Sequence, residues 1–462
     1  MPRIVAACAA LLMTVSSTVF ASPAERLGES IRFRTISYQT SEQVDYAEFD
    51  RLNDYLRTTF PLVFEQLLVE TVNDYSLLIR WPGSDESLQP ILFTAHTDVV
   101  PVEPATKADW SYPPFDGVVA DGRIYGRGTL DDKVGVMSLL EAAEQLLAEG
   151  FVPRRGIVLA FGHDEEISGK QGAVSLAARM TELGLHFSWM VDEGGWLLSE
   201  SPLLPDKVMA MVSVAEKPYM TLTLVATGEG GHSSNPPIIS TIGRLSSALA
   251  RIEDNPFEPR LVAPMVAMLE ALAPHVGQPE RFIFSNLWLT GGLVASNMAE
   301  QRMTQPFVRT TTALTVFNGG VKENVVPQRA EAKVNLRLLP GDTPEMVLET
   351  ITALVDDPQI EISYFVWGAE TPVSDHTAEG FKIISEVVSA VYPEAVVTPA
   401  MQVGITDSRH YTQVSDNQYR FHGMLITTDQ TRSFHGTDEY IEVDSYTKAI
   451  EIARQMMHLG AR

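Results

Sequence analysis

The chain has 462 residues, 45% of them apolar, and a formal charge of −25. That length exceeds what one hydrophobic core usually organises, so two domains are expected, and the apolar content excludes global disorder. The excess of acid, with no basic patch interleaved with aromatics, argues against nucleic acid as a partner.

Residues Met1 to Ala21 carry the basic Arg3, an apolar run through Val15 and the small-residue pattern Val19-Phe20-Ala21 before Ser22. This predicts a signal peptide over 1–21, cleaved after Ala21, and an exported, periplasmic or secreted protein. A retained anchor is the alternative, although the run is short for a bilayer span and no later stretch is long and apolar enough to cross. The only cysteine, Cys8, lies in this segment. The mature chain therefore has no thiolate to offer, and a metal site in it must use His and carboxylate ligands.

Helices are expected over Tyr46–Thr58 and Pro61–Val69, then a strand at Ser76–Arg80 and a turn at Trp81–Glu86. Ile91-Leu-Phe-Thr-Ala-His96-Thr-Asp98 reads as a buried strand with a polar tip, where open α/β sheets commonly present reactive groups. The Pro-rich loop Pro101–Pro114 holds Trp110 and Tyr112, which either line a pocket or pack beneath the loop. Gly126-Arg-Gly-Thr-Leu-Asp131-Asp132 precedes a helix over Lys133–Leu147, so capping is the simple role for either acid. A second buried strand, Gly156–Phe161, leads to Gly162-His-Asp-Glu165-Glu166, a helix follows over Lys170–Leu183, and a short strand Trp189–Val191 ends at Asp192. Three strand ends and a helix start thus carry His96, Glu165 with Glu166, Asp192 and Asp131, a repetition that surface decoration does not produce.

Beyond Leu204 the composition changes. A strand at Tyr219–Ala226, a Gly-rich turn with His232, a helix at Ile238–Ile252, strands at Arg309–Phe317 and Ala330–Leu338, a helix at Pro344–Leu354 and a strand at Gln359–Val366 follow. Strand, helix, two strands, helix, strand is a ferredoxin-like order, here interrupted by a Pro-, Met- and Leu-rich insertion over about 256–299. That insertion either covers an apolar acyl pocket or packs as an extra helix and interface. The pattern then returns to a helix at Ala378–Val391, a strand near Ala395–Val397, a helical piece from Thr406, a strand at Arg420–Met424 and a closing helix at Val443–Leu459 preceded by Ser433-Phe-His435-Gly-Thr. The expected fold is α/β, with a discontinuous hydrolase domain over 22–215 and 369–462 and an inserted ferredoxin-like α+β satellite over 216–368.

The segments 91–195 and 433–440 resemble the co-catalytic zinc metallopeptidases that include glutamate carboxypeptidase, aminoacylase and succinyl-diaminopimelate desuccinylase. The length, the insertion and the Gly162-His163-Asp164-Glu165-Glu166 wording point within them to the carboxypeptidase S and N-acyl-amino-acid hydrolase branch. The resemblance implies two zinc ions bridged by Asp131, with His96 and Asp192 completing one ion's ligands and Glu166 and His435 the other's. It makes Asp98 the partner that orients His96, and Glu165 the general base. Gly230-Gly-His232-Ser-Ser-Asn resembles the segment whose histidine polarises the scissile carbonyl, in several members across a dimer interface. Asn324-Val-Val-Pro and Asn335-Leu-Arg337 resemble the segments that hold the substrate carboxylate, a task suited to the guanidinium fork. Asp132 and Glu193 are expected in capping or structural roles, and His422 in an ordinary one.

The function so implied is hydrolysis of the amide or peptide bond before a C-terminal amino acid with a free carboxylate. The substrate is a small peptide or N-acyl amino acid, and the satellite is the expected homodimer contact. A dipeptidase or aminopeptidase of the same family is the alternative within the class, and a metal-free binding module on a hydrolase fold the alternative outside it.

Overall fold

Strands buried on both faces form the middle of the largest sheet, and their residues alternate between two apolar layers. The computed structural model describes residues 21–201, 203–367 and 371–462, so the expected signal lies outside it except for Ala21. Ten strands form the large sheet, in which Ile91–His96 runs parallel to Ile157–Gly162 on one side and to Trp189–Asp192 on the other. Every residue of Ile91–His96 and of Ile157–Gly162 is buried. Ile91, Phe93, Ile157 and Leu159 face a cluster with Leu27, Val136, Leu140 and Ile450, from the helices Pro23–Ile31, Lys133–Ala148 and Val443–Gly460. Leu92, Val158 and Ala160 face Leu176 and Met180 of the helix Ala173–Glu182 on the opposite side. Each such side chain contributes about 1.5–3 kcal/mol on burial, so this two-sided core holds the strand ends rigidly.

The smaller sheet is wholly antiparallel, in the order Thr311–Gly319, Arg329–Arg337, Tyr219–Thr227, Ile360–Trp367. Residues of Tyr219–Thr227 alternate between buried and half-buried, as one covered face requires. Met220, Leu222 and Leu224 meet Leu245 and Ile252 of the helix Thr241–Asp254 and Val347 and Ile351 of the helix Pro344–Val355. The large sheet draws on strands between 68 and 216 and between 396 and 426, the small one on strands between 219 and 367. Lys217 and Pro218 join them.

Leu68–Val72 is a strand where a helix was expected to run on to Val69, Gln418–Arg420 lies before most of the expected Arg420–Met424, and two further strands differ from expectation. Met209–Glu216, unforeseen in the sequence, has seven of eight residues buried and so shows no alternation to read. Its parallel partner Val396–Gln402 is longer than expected and tolerates Pro399, because this strand pairs on one side only. The insertion forms the helices Ala263–Leu272, Glu280–Ser285 and Leu287–Ala299. Met265, Met268, Leu269 and Leu272 pack on Leu204, Met209, Val396 and Ala400, so its inner side is core. Trp110 is likewise packed, beneath the guanidinium of Arg127 at 5.4 Å, and Tyr112 lies against Tyr125. Among the described residues no helix is long and apolar enough to cross a membrane.

Candidate metal centre

The three adjacent parallel strands bring their carboxyl ends side by side. His96 closes the first, the turn carrying Glu165 and Glu166 follows the second, and Glu193 follows the third. Asp131 enters from the loop before Lys133–Ala148, and His435 from the loop before Tyr440–Glu442. His96 Nε2 lies 3.0 Å from Asp131 Oδ1, while His435 Nε2 lies 3.0 Å from Asp131 Oδ2 and 3.1 Å from Glu166 Oε2. One carboxylate thus faces a histidine on each side, and the donors of His96, Asp131 and Glu166 all lie within 4.8 Å of one another.

Asp98 is the hub behind this arrangement. It is fully buried and accepts from the Ser37 hydroxyl at 2.6 Å and from the amides of Glu165 and Glu166 at 3.1 and 3.2 Å, with His96 Nδ1 3.2 Å away. Burial alone would raise its carboxyl, but the contacts with His96 and Ser37 and the Glu166 amide hold it below the ordinary range. Asp98 therefore fixes the His96 ring and the Glu165–Glu166 turn together. The His96 Nδ1–H also donates to the Asp98 carbonyl at 3.0 Å, which leaves Nε2 to face Asp131.

Glu165 lies 3.6 Å from Arg409 and makes no contact with either histidine of the cluster among those within ion-pair distance. Burial, reinforced by the negative charge of Asp407, pushes its carboxyl well up. For Asp131 burial also acts upward, yet the hydrogen bonds from His435 and His96 hold it far down. Asp131 and Glu166 in turn raise His435 to about 11.

Glu193, rather than the expected Asp192, is the carboxylate that lies beside His96. Asp192 is the last residue of its strand and turns inward, where Oδ1 accepts from the Thr94 hydroxyl at 2.6 Å. Glu193 emerges on the opposite side, with Oε1 3.6 Å from His96 Nε2, and belongs with His96 to a group of donors within 4.8 Å of one another. Successive residues of an extended chain point to opposite faces, so only one of the two reaches the cluster. Asp132, which also belongs to that group, is engaged as expected in capping: its Oδ1 accepts from the Gly135 amide at 3.1 Å, and its Oδ2 from the His96 amide at 3.2 Å. His422, given no role from sequence, approaches Asp132 Oδ1 at 2.5 Å.

These groups line a cavity of ≈ 270 Å³ with Asp131, Glu165, Glu166, Glu193, His422 and His435 in its wall. His232, Asn324 and Arg337 are absent from that wall. His232 is exposed on a two-residue ribbon, Gly231–His232 against Val325–Val326, and the Ser233 amide donates to the Asn324 carbonyl at 3.1 Å, so the structure brings these two segments together away from the cavity. Arg337 ends its strand with the guanidinium over the Tyr219 ring at 4.7 Å and with Nη1 buried and unpartnered. Burial lowers its pKa, and among the charges it feels are Arg409 and Glu216 on the large-sheet side.

The residues present fit a pair of zinc ions. Glu166 Oε1 is buried without a partner, two imidazoles and three carboxylates converge, and nitrogen and oxygen donors of this kind are those zinc takes. Residues 92–459 match the model of Peptidase family M20/M25/M40. The chain belongs to that family. It is 37% identical to "Probable carboxypeptidase S-like 2" of Dictyostelium discoideum, over 93% of this chain and 83% of the relative. It is 38% identical to "N-fatty-acyl-amino acid synthase/hydrolase PM20D1" of Bos taurus, over 94% of this chain and 87% of the relative. It also resembles the crystal structure of the M20 family metallo-carboxypeptidase Sso-CP2 from Sulfolobus solfataricus, with a TM-score of 0.70, 20% identity and coverage of 95% of this chain and 99% of that one. At that identity the last likeness speaks for the fold.

Proposed function

We propose that this M20-family chain is a dizinc hydrolase that cleaves the amide bond before an amino acid with a free carboxylate, acting on small peptides or N-acyl amino acids. The observation that carries this reading is the cluster of His96, Asp131, Glu166, Glu193 and His435 at the mouth of a cavity, with Glu165 beside it. Asp131 would serve both ions, His96 with Glu193 would hold one, and Glu166 with His435 the other, a division supported by the distances from Asp131 to the two histidines. When bound, such a metal pair lowers the pKa of a water and polarises a carbonyl. The rest falls to the chain's own groups. Glu165 takes the proton of the attacking water at its carboxylate and returns it to the departing amine nitrogen. Its upward-shifted pKa suits an acid and base that must hold the proton in between. Asp98 keeps His96 in the tautomer that presents Nε2.

Names of the relatives, a carboxypeptidase and N-fatty-acyl-amino acid synthase/hydrolases, support substrates that pair an acyl group with an amino acid. The small sheet's spatial order, second, third, first, fourth in the chain order of its strands, supports a ferredoxin-like satellite over 216–368. His232, on an exposed ribbon, and Asn324, beside it, lie outside the cavity wall, which supports their delivery to a substrate by movement of that unit or by a second copy in a homodimer. Arg337 is the proposed carboxylate receiver, its Nη1 being unpartnered. Export rests on residues 1–21 of the sequence alone.

The test is a release assay with zinc supplied, comparing benzyloxycarbonyl-Gly-Leu, N-acetyl and N-long-chain-acyl amino acids, their amide-capped forms and free dipeptides, alongside elemental analysis. Two zinc ions per chain and turnover confined to free-carboxylate substrates are expected. Full structure without bound zinc, or preference for a free amino terminus, refutes the reading.

A further inference from the structure

Two loops that meet at the cavity come from distant parts of the chain, and one buried ion pair ties them. Arg127 and Glu439 are 2% and 0% exposed. Glu439 Oε1 accepts from the amides of Gly128, Leu130 and Asp131 at 3.0, 2.7 and 3.3 Å, while Oε2 accepts from Arg127 Nη1 at 2.5 Å. Arg127 Nη2 then donates to the carbonyl of Gly436, the residue after His435, at 2.8 Å. The pair thus holds the Asp131 amide at one end and the His435 turn at the other.

Other contacts leave this turn little freedom. The Gly126 amide donates to the Glu439 carbonyl at 2.9 Å, and Tyr440–Glu442 pairs antiparallel with Arg123–Tyr125. His435 adopts φ +56°, an uncommon backbone for a residue with a side chain, and a Cβ at Gly436 would lie 2.4 Å from the Arg432 carbonyl oxygen. Such a turn persists when its surroundings over-determine it. Four donors around its two oxygens suit the ionised form of Glu439. His96, by contrast, is oriented from behind by Asp98, and Glu439 makes no hydrogen bond to it.

We infer that Glu439, with Arg127, is a positioning pair that sets the separation of Asp131 and His435 and thereby the affinity for the one metal ion those two residues share. The inference rests on the two-ion reading above and adds to it an asymmetry: the clamp reaches the ion at His435 through both Asp131 and the His435 turn, and the ion at His96 through Asp131 alone.

The experiment uses full-length mature protein stripped of metal, titrated calorimetrically with zinc, as wild type and as Glu439→Gln, Arg127→Met and Arg127→Lys. Thermal unfolding of the metal-free forms is run alongside. Loss of a partner that orients a ligand typically costs about 10–100-fold in metal affinity. Glu439→Gln and Arg127→Met should weaken one binding step by that factor and the other, reached through Asp131 alone, distinctly less. Arg127→Lys, which keeps the charge but loses the fork to Gly436, should weaken the same step less, and it stands in for Glu439→Gln if that variant does not fold. Lowered unfolding temperatures with both binding steps unchanged show a structural ion pair only and overturn the inference, as does equal weakening of both steps. Wild type that takes up fewer than two ions overturns the two-ion reading itself, and the inference with it.

Discussion

Glu193→Gln and Asp192→Asn form a matched pair that separates what the strand end does from what its neighbour does. Gln keeps the volume of Glu193 and removes the carboxylate charge that sits 3.6 Å from His96 Nε2. Changing a group that merely orients a ligand costs about 10–100-fold in affinity, so removing a direct ligand should cost about 100-fold or more for one ion, or ~2.8 kcal/mol. Asn at 192 retains an oxygen to accept from the Thr94 hydroxyl, now 2.6 Å from Asp192 Oδ1, so both ions should stay within about threefold. The metal-free proteins give an independent sign. Burial, with the negative charge of Asp131, pushes the Glu193 carboxyl well up, so the fold without metal is penalised for ionising it. Metal-free Glu193→Gln should therefore unfold at no lower temperature than wild type at neutral pH, while zinc should raise its unfolding temperature less. Calorimetric zinc titration and thermal melts measure both effects. Loss of an ion by Asp192→Asn, with Glu193→Gln binding two ions as wild type does, would refute the assignment.

Glu165→Gln should retain two zinc ions by elemental analysis and lose about 100-fold or more in turnover, because an amide cannot accept the water's proton; joint loss of metal and activity would place Glu165 among the ligands instead. Arg337→Ala should lower kcat/KM for free-carboxylate substrates by ~30-fold, about 2 kcal/mol, while amide-capped analogues, slow from the start, change little; equal losses on both would move carboxylate recognition elsewhere. Burial, aided by the charge of Arg337, brings the Lys217 ammonium down to about 7. Below that pH it is charged in both folded and unfolded chains. Between there and its ordinary 10.5 the unfolded chain binds the extra proton, so stability rises with pH by at most about 1.4 kcal/mol per unit. Urea unfolding between pH 7 and 9.5 should show this rise in wild type and a flatter profile in Lys217→Met, and identical slopes would rule the residue out.

Where the chain's chemistry follows a buried strand, the sequence is readable. His96, Asp131, Glu165 and Glu166 stand out because apolar runs predict strands, parallel strands align their ends, and dense acids and histidines at those ends have few structural uses, whereas His435, in a loop, and the separate roles of all five came from the family resemblance. The choice between Asp192 and Glu193 was not readable in the same way. It depends on which face of the Trp189–Asp192 strand the cavity occupies, and that is set by packing of Thr94 and its neighbours. Met209–Glu216 escaped because burial on both faces erases alternation. Glu439 escaped because its partners Arg127, Gly128 and Leu130 lie some 300 residues away in sequence, and one acid among 59 Asp and Glu carries no local mark.

The acidity that looked like mere surface has a second meaning at the centre. Asp131, Glu165, Glu166 and Glu193 crowd one cavity, and burial raises the last three, with the charge of Asp131 adding to the rise for Glu166 and Glu193. Without cations burial favours protons on Glu165, Glu166 and Glu193, while Asp131 and Glu166 raise His435 to about 11. Two divalent ions replace those protons with charges fixed in position. Metal affinity must then fall as pH falls, since every ligand that binds metal has first to release its proton. Glu165 has no hydrogen bond to either histidine of the centre, which leaves it free for the proton transfer proposed for it.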